Sequence, residues 1–382
     1  MKKRLLLLAA LSMICIMILG GCSTPTQDTK AEETTKEAAE ETAEETTKEA
    51  AEDTAEDTAT QTTESFSDFP VTGIGATISS DVKATGNYKI GYIAKNTTNP
   101  YMVAQSAGVA KAGEDMGFTA ITQAPATADS VEEQVKIMED MVQQGVDVII
   151  VHCADSNGIM PGVRTAEEAG ILVLTIGTPA AEDTFLRTGV NYKETGSVIA
   201  EEIAKKLGGK GNVIILEGPP GAANAIERLE GINEVFANYP DIEVVASQTA
   251  NFKRTEGMQV TENLIQKHTD IQAIIGMNDE SALGAVQALK AAGMDDVLVA
   301  GFDGSTDATA AVESGDLFMT YNTDPYGSGY IACAYAVMNL NDGTNPPSTF
   351  VPFPSASDNP LISVDTVADY KENIAWWKVI QE

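Results

Sequence analysis

Twice in the second half of this 382-residue chain an apolar run ends in a polar side chain, and a helix-forming segment starts at once. The first is the run 271–275, followed by Gly276-Met277-Asn278-Asp279-Glu280-Ser281-Ala282-Leu283-Gly284. The second is the run 297–300, followed by Gly301-Phe302-Asp303-Gly304. A short continuous apolar run without alternation reads as a strand buried on both faces, which is the mark of a parallel sheet covered by helices. Few folds accept such a strand. Asn278 and Asp303 then stand at carboxyl ends, and open α/β sheets bind ligands in the crevice just outside those ends. Neither residue has a partner close in sequence, so both are expected to point at one cleft.

The rest of the body repeats the pattern. Strands are expected at 88–94, 118–123, 146–151, 171–176 and 185–190. A helix begins at Asn99, with Pro100 in its first turn as helix starts prefer, and runs to about Gly117. Another spans 130–144, with Val131, Val135, Met138 and Val142 on one face. The alternation then restarts: strands at 212–216, 242–247, 271–276 and 297–301, with helices at 195–207, 222–236, 254–268 and 280–292. Strand-helix alternation implies parallel sheets with helices on both faces. Two successive runs predict two doubly wound α/β lobes. Residues 317–322, 326–340 and 349–353 fit the second run poorly, and the residues alone would suggest two consecutive domains.

The formal charge of -32 argues against a nucleic-acid partner, which would need clustered Lys and Arg. At the N-terminus Met1-Lys2-Lys3-Arg4 precedes an apolar run to Leu19, a signal-peptide pattern too short for a comfortable membrane span. Leu19-Gly20-Gly21-Cys22-Ser23 resembles a bacterial lipobox, in which the chain is cut before the cysteine and its thiol acylated; Gly20 departs from the commoner Ala or Ser. The alternative is a secretory signal with an incidental cysteine. Between Ser23 and Ser65 fourteen acids face three lysines, with no aromatic, Leu, Ile or Val before Ser65. Such a segment cannot bury enough apolar surface to offset its ordering entropy and is expected to be an extended spacer. Of the remaining cysteines, Cys153 and Cys333 have no metal or disulfide spacing and read as small buried hydrophobes.

Residues 88–370 resemble the type I periplasmic sugar-binding proteins of the ribose-binding kind. The resemblance rests on the two strand-end phrases above, on Asn99-Pro100-Tyr101, on Glu227-Arg228-Leu229-Glu230-Gly231-Ile232 and on Ser247-Gln248-Thr249-Ala250-Asn251-Phe252. It implies that the lobes interleave, the chain crossing between them near 189–192, 321–324 and 351–354. The domains expected on this basis are a lipoprotein signal at 1–22, a disordered tether at 23–86, a first lobe at 87–190 plus 324–350, and a second at 191–323 plus 351–382. The resemblance also implies a ligand set of Asn99, Tyr101, Arg228, Phe252, Asn278 and Asp303, with Thr323 where a Gln is frequent. Amides and carboxylates would meet hydroxyls, while the rings cover the C–H faces of a sugar.

The first lobe departs from that pattern. Val151-His152-Cys153 stands where an Asn is usual, and Ile176-Gly177-Thr178 where an Asp-Arg pair grips ring hydroxyls. His152 reads either as a hydrogen-bonding replacement or as a satisfied strand-end histidine. The expectation is therefore a neutral sugar, polyol or cyclitol held mainly by the second lobe.

Enzymatic signatures are missing. No Gly-x-Gly-x-x-Gly follows the first strand, and Gly218-Pro219-Pro220-Gly221-Ala222 lacks the Lys-Ser/Thr of a P-loop. There is neither a Gly-x-Ser-x-Gly elbow nor a His-Glu-x-x-His motif. The resemblance, together with the lipobox, implies a monomeric, lipid-anchored solute receptor on the outer face of the cytoplasmic membrane, without metal or cofactor, passing a polyhydroxylated ligand to an ABC permease. A sensor feeding a kinase or chemoreceptor shares every feature seen in the sequence.

Overall fold

Strand β1 (Lys89–Ile93) starts the body as its apolar spacing demands, with every residue after Lys89 buried. The computed structural model describes residues 70–352 and 360–381. The expected signal, Cys22 and the acidic segment up to residue 69 lie outside the described residues. From β1 the chain runs through α1 (Pro100–Met116), β2 (Thr119–Gln123), α2 (Val131–Gln143), β3 (Val148–Val151), α3 (Met160–Glu168), β4 (Leu172–Ile176) and β5 (Leu186–Gly189). It continues with α4 (Tyr192–Lys206), β6 (Lys210–Glu217), α5 (Ala223–Phe236), β7 (Asp241–Thr249), α6 (Arg254–Lys267), β8 (Ala273–Gly276), α7 (Asp279–Ala292), β9 (Leu298–Asp303) and α8 (Thr306–Ser314). Then come β10 (Met319–Asn322), α9 (Pro325–Asp342), β11 (Phe350–Pro352) and the two-residue β12 (Leu361–Ile362).

Two six-stranded sheets result, in the orders β11-β5-β4-β3-β1-β2 and β12-β10-β9-β8-β6-β7. All pairings are parallel except β12 with β10. Strands β3 and β8 are buried throughout, as expected of strands with helices on both faces. This is the two-lobed α/β architecture read from the sequence. The chain leaves the first sheet after Gly189, and α4 packs on α5 in the second lobe. It returns after Asn322, where α9 packs on α1. It leaves the first sheet again after β11 and reappears in the second as β12.

Three expectations need correction. Residues 70–86 are not tether. Val71 and Ile78 are buried in the main core, Thr72 and Ser79 pair as a bridge, and the Gly75 N–H donates to the buried Asp324 carboxylate at 2.8 Å. Three apolar side chains in a short stretch are enough to dock it, and extending the acidic composition past Ser65 concealed them. The boundary before Val351 also falls too early, since Val351 and Pro352 pair with Thr188 and Gly189 in the first sheet. Helix α3 has no counterpart in the sequence reading, because Pro161 and Gly162 sit in its first turn and weaken its signal.

The last described residues bind the lobes together from behind. The turn 376–380 packs on α1 of the first lobe, while the Trp376 indole N–H donates to the Asp303 carbonyl at 2.9 Å in the second. The Tyr370 hydroxyl donates to the Gly304 carbonyl at 2.9 Å. Cys153 and Cys333 are buried, free thiols. Among the described residues no helix is long and apolar enough to cross a membrane, and no group of His, Cys, Asp and Glu could hold a metal ion.

Candidate functional site

The carboxyl ends of both sheets open on one cleft of about 470 Å³, lined from the first lobe by Lys95, Asn99, Tyr101, Asp129 and His152, and from the second by Asn224, Arg228, Phe252, Asn278 and Asp303. Seven of the eight sequence-predicted ligand residues line it. Thr323 does not; it lies buried behind Asp303, its hydroxyl 3.4 Å from Oδ1 of that carboxylate.

Helix starts position the amides. Asn99 caps α1, its Oδ1 accepting from the Tyr101 N–H at 2.9 Å, which commits the carbonyl side of the amide to the backbone. Asn278 caps α7 in the same way through Ser281, and its Nδ2 donates to the Phe252 carbonyl at 3.2 Å. One side chain thus starts a helix and fixes the loop that carries an aromatic wall. Phe252 has φ 59° and Asn251 φ 51°. Asp303 has φ 122° and Asp129 φ 62°, so four of the five non-glycine residues with positive φ among the described residues border the cleft. Backbone conformations of that kind cost on the order of 1–3 kcal/mol each and cluster where function requires them.

Arg228 and Asp303 are buried in the cleft, and among the described residues neither forms an ion pair. The Arg228 guanidinium lies 4.3 Å from the centroid of Phe302 and 5.0 Å from that of Tyr192, and Nη1 donates to the Met277 carbonyl at 2.5 Å. Asp303 is 7% exposed, and burial raises its pKa well above the ordinary carboxylate range while nearby Arg228 pulls it back. Hydroxyl donors from a ligand would favour the ionised carboxylate in the same direction as Arg228.

His152 is held on both sides. Nδ1 meets the Gln105 Oε1 at 2.8 Å, and Nε2 faces the Thr178 hydroxyl at 3.3 Å. Burial keeps its pKa well below the usual imidazole value, so the ring is neutral. Tyr101 packs edge-on to it with centroids 5.8 Å apart. Gly177 makes room for this ring: at φ 69°, a Cβ there would fall 2.1 Å from His152 Cε1. The Gly-Thr that replaces an Asp-Arg pair is thus the space that admits the histidine.

Sequence reading missed Lys95, Asp129, Asn224 and Tyr192. Lys95 carries the same signal as Asn278 and Asp303, a polar residue following an apolar strand, but a lysine reads as solvated by default. Asp129 sits in a loop whose left-handed backbone leaves no trace in composition. Asn224 belongs to contacts between the lobes. The Thr178 hydroxyl donates to its Oδ1 at 2.9 Å, the Ser156 N–H donates to the Gly221 carbonyl at 3.0 Å, and Arg187 pairs with Glu227 at 2.7 Å. A Cβ at Gly221 would meet the Asp155 carboxylate at 1.6 Å, so the lobes touch here at backbone distance.

The sequence pattern of the periplasmic binding protein domain matches residues 90–344. The ribose import binding protein of Bacillus subtilis (strain 168) is 38% identical over 255 residues, covering 65% of this chain and 81% of that protein. A xylitol-binding protein of Mycolicibacterium smegmatis is 34% identical over 249 residues, covering 64% and 71%. Among solved structures, an ABC transporter solute binding protein from Bacillus halodurans C-125 with bound myo-inositol superposes with a TM-score of 0.68 at 28% identity, over 76% of this chain and 99% of that one.

Proposed function

The chain belongs to the periplasmic binding protein domain family, and from that premise we propose that it captures a small neutral sugar, polyol or cyclitol between its lobes and hands it to an ABC importer. It is a binding protein of a transport system and not an enzyme. The observation that carries the ligand class is the composition of the cleft. Amides at two helix starts, a carboxylate and a guanidinium share with Tyr101 and Phe252 the lining of a space of about 470 Å³, within the range of small-molecule sites of roughly 300–1,000 Å³. Hydroxyls need such paired donors and acceptors, and the weakly apolar faces of a ring or chain need the aromatic walls. Relatives that bind ribose, xylitol and myo-inositol support the same range of ligands.

Capture follows from the two-lobe geometry. A ligand touching both lobes binds the closed arrangement better than the open one, and that differential affinity shifts the population. Acylation at Cys22 would hold the receptor on the outer face of the membrane beside its permease, at high effective concentration. Mass spectrometry of the small molecule that co-purifies, with a thermal-shift panel of D-ribose, D-allose, xylitol and myo-inositol, tests the reading. At least one polyhydroxylated compound is expected to raise the melting temperature with the logarithmic concentration dependence of a specific ligand. A co-purifying ligand from another chemical class, with no response to the panel, would contradict it.

A further inference from the structure

Beside the second-lobe set, the first lobe brings a charged pair to the cleft. Lys95 follows β1, is only 5% exposed, and lines the cleft. Its ammonium lies 5.2 Å from the centroid of Phe252 on the opposite lobe, and its one hydrogen bond among the described residues is a 3.4 Å contact to the Thr178 hydroxyl. Among the described residues no carboxylate comes within ion-pairing distance of it. An ammonium carries three donors, so at least two have no hydrogen-bond acceptor among the described residues. Burying a cation in this way is costly unless something completes its shell.

Asp129 is tied to the same place. Its N–H donates to the Lys95 carbonyl at 2.9 Å, and Asn96 Nδ2 donates to its Oδ1 at 2.9 Å. Among the described residues no hydrogen bond engages its other oxygen. The left-handed φ of 62° keeps this carboxylate at the cleft wall. Of the charged residues that line the cleft, Arg254 pairs with Glu280 and Lys253 with Glu256, which leaves two cations, Lys95 and Arg228, and two carboxylates, Asp129 and Asp303, without an ion pair among the described residues, one of each sign per lobe. Held apart rather than neutralising one another, the four charges leave a gap whose occupant needs donors and acceptors on both sides and no net charge.

We propose that Lys95 and Asp129 are the first lobe's ligand-gripping pair, a donor and an acceptor for neighbouring hydroxyls of a neutral polyol, opposite Arg228 and Asp303. This rests on the sugar-binding reading and deepens it, because it moves half of the ionic grip to the lobe that the sequence marks as lacking one. The occupant is a compound with hydroxyls on both edges, one edge meeting each lobe.

The geometry has a titratable consequence. Burial brings the Lys95 ammonium down to about 8, with Asp129 the principal charge opposing the shift, followed by Cys153 and Asp303, and with Arg228 reinforcing it. Only the ammonium can donate all its hydrogens, so its share of the affinity is present below that value and fades above it. Asp303, one of the charges acting on Lys95, titrates in the opposite sense for binding, so the ratio of wild-type to Lys95→Met affinity, and not either affinity alone, carries the readout.

The test is titration calorimetry of D-ribose, xylitol and myo-inositol into the wild type, Lys95→Met and Asp129→Asn, with the melting temperature of each unliganded protein. At pH 7 the tightest of the three is expected to weaken on the order of tenfold or more in Lys95→Met and about tenfold in Asp129→Asn. The unliganded melting temperature should be unchanged or higher in Lys95→Met, because a buried charge is removed, and about unchanged in Asp129→Asn, where the carboxylate is only half-buried. From pH 7 to 9.5 the ratio of wild-type to Lys95→Met affinity should shrink towards one. Affinities within about twofold of wild type, a ratio constant with pH, or a loss that only follows a lower melting temperature would overturn the assignment while leaving sugar binding intact. Absence of saturable binding of all three compounds to the wild type would instead overturn the underlying reading, and this assignment with it.

Discussion

At the scale of single residues, Asp303 and Thr178 separate two kinds of contribution to binding. Asp303 stands at the end of β9 with its carboxylate in the cleft and is proposed to accept from two ligand hydroxyls. Asp303→Asn keeps the shape and removes the charge-assisted bonds, so it should cost roughly 2 kcal/mol, about thirtyfold in affinity. Thr178 is fully buried and bonds to Asn224 across the lobes rather than lining the cleft. Thr178→Ala then loses the neutral hydrogen bond to Asn224 and the longer contacts to His152 and Lys95, about 1 kcal/mol. Calorimetry of both variants against the same sugar checks the order; a larger loss at Thr178 would mean that closure, and not ligand contact, dominates. Asn278 and Asp303 were legible because they sit in local phrases that also start a helix or end a strand, whereas Arg228, inside α5, was singled out through the family resemblance alone. In the first lobe Asn99, Tyr101 and His152 were legible, but the charged residues were not. Lys95 and Asp129 acquire their meaning only when β1 and the loop before α2 come together, and no local phrase records that meeting.

At the scale of elements, apolar spacing located nearly every strand and helix, and the errors share a physical origin. Where a segment's role comes from docking on distant parts of the chain, its own sequence is weak evidence. The stretch 70–80 is the plainest case. Val71, Ile74 and Ile78 are buried, Gly75 reaches Asp324 at the start of α9, and a Cβ at Gly75 would strike the Ile374 carbonyl near the C-terminus. Fully burying one such side chain contributes about 1.5–3 kcal/mol before ordering costs. A chain beginning at Thr85 should therefore lose a few kcal/mol and melt at least about 5 °C lower than one beginning at Ser67. Removing only residues 1–66 should leave the melting temperature within about a degree or two, because an acidic, aromatic-poor segment has little to dock with. Thermal denaturation of the two truncated chains decides between them, and equal melting temperatures would show that the docked segment contributes no net stability.

At the scale of the whole molecule, two sheets are joined by crossings after Gly189, after Asn322 and after β11, and direct contacts close the front of the cleft. The interleaving could not be read from the residues alone, because each crossing replaces an ordinary strand-to-helix turn; it came from family resemblance. The proposed anchor belongs to this scale as well. Cys22→Ser should release the receptor from the membrane fraction with its sugar affinity unchanged, as fractionation followed by calorimetry would show; retention on the membrane after signal removal would place the anchor elsewhere. The central claim is that a polyhydroxylated ligand is captured by closure of the two lobes over it. Small-angle X-ray scattering during titration with D-ribose, xylitol and myo-inositol tests this most directly. The account predicts that whichever compound raises the melting temperature also lowers the radius of gyration, in step with saturation. A compound that binds saturably while the radius of gyration stays constant would contradict capture by closure.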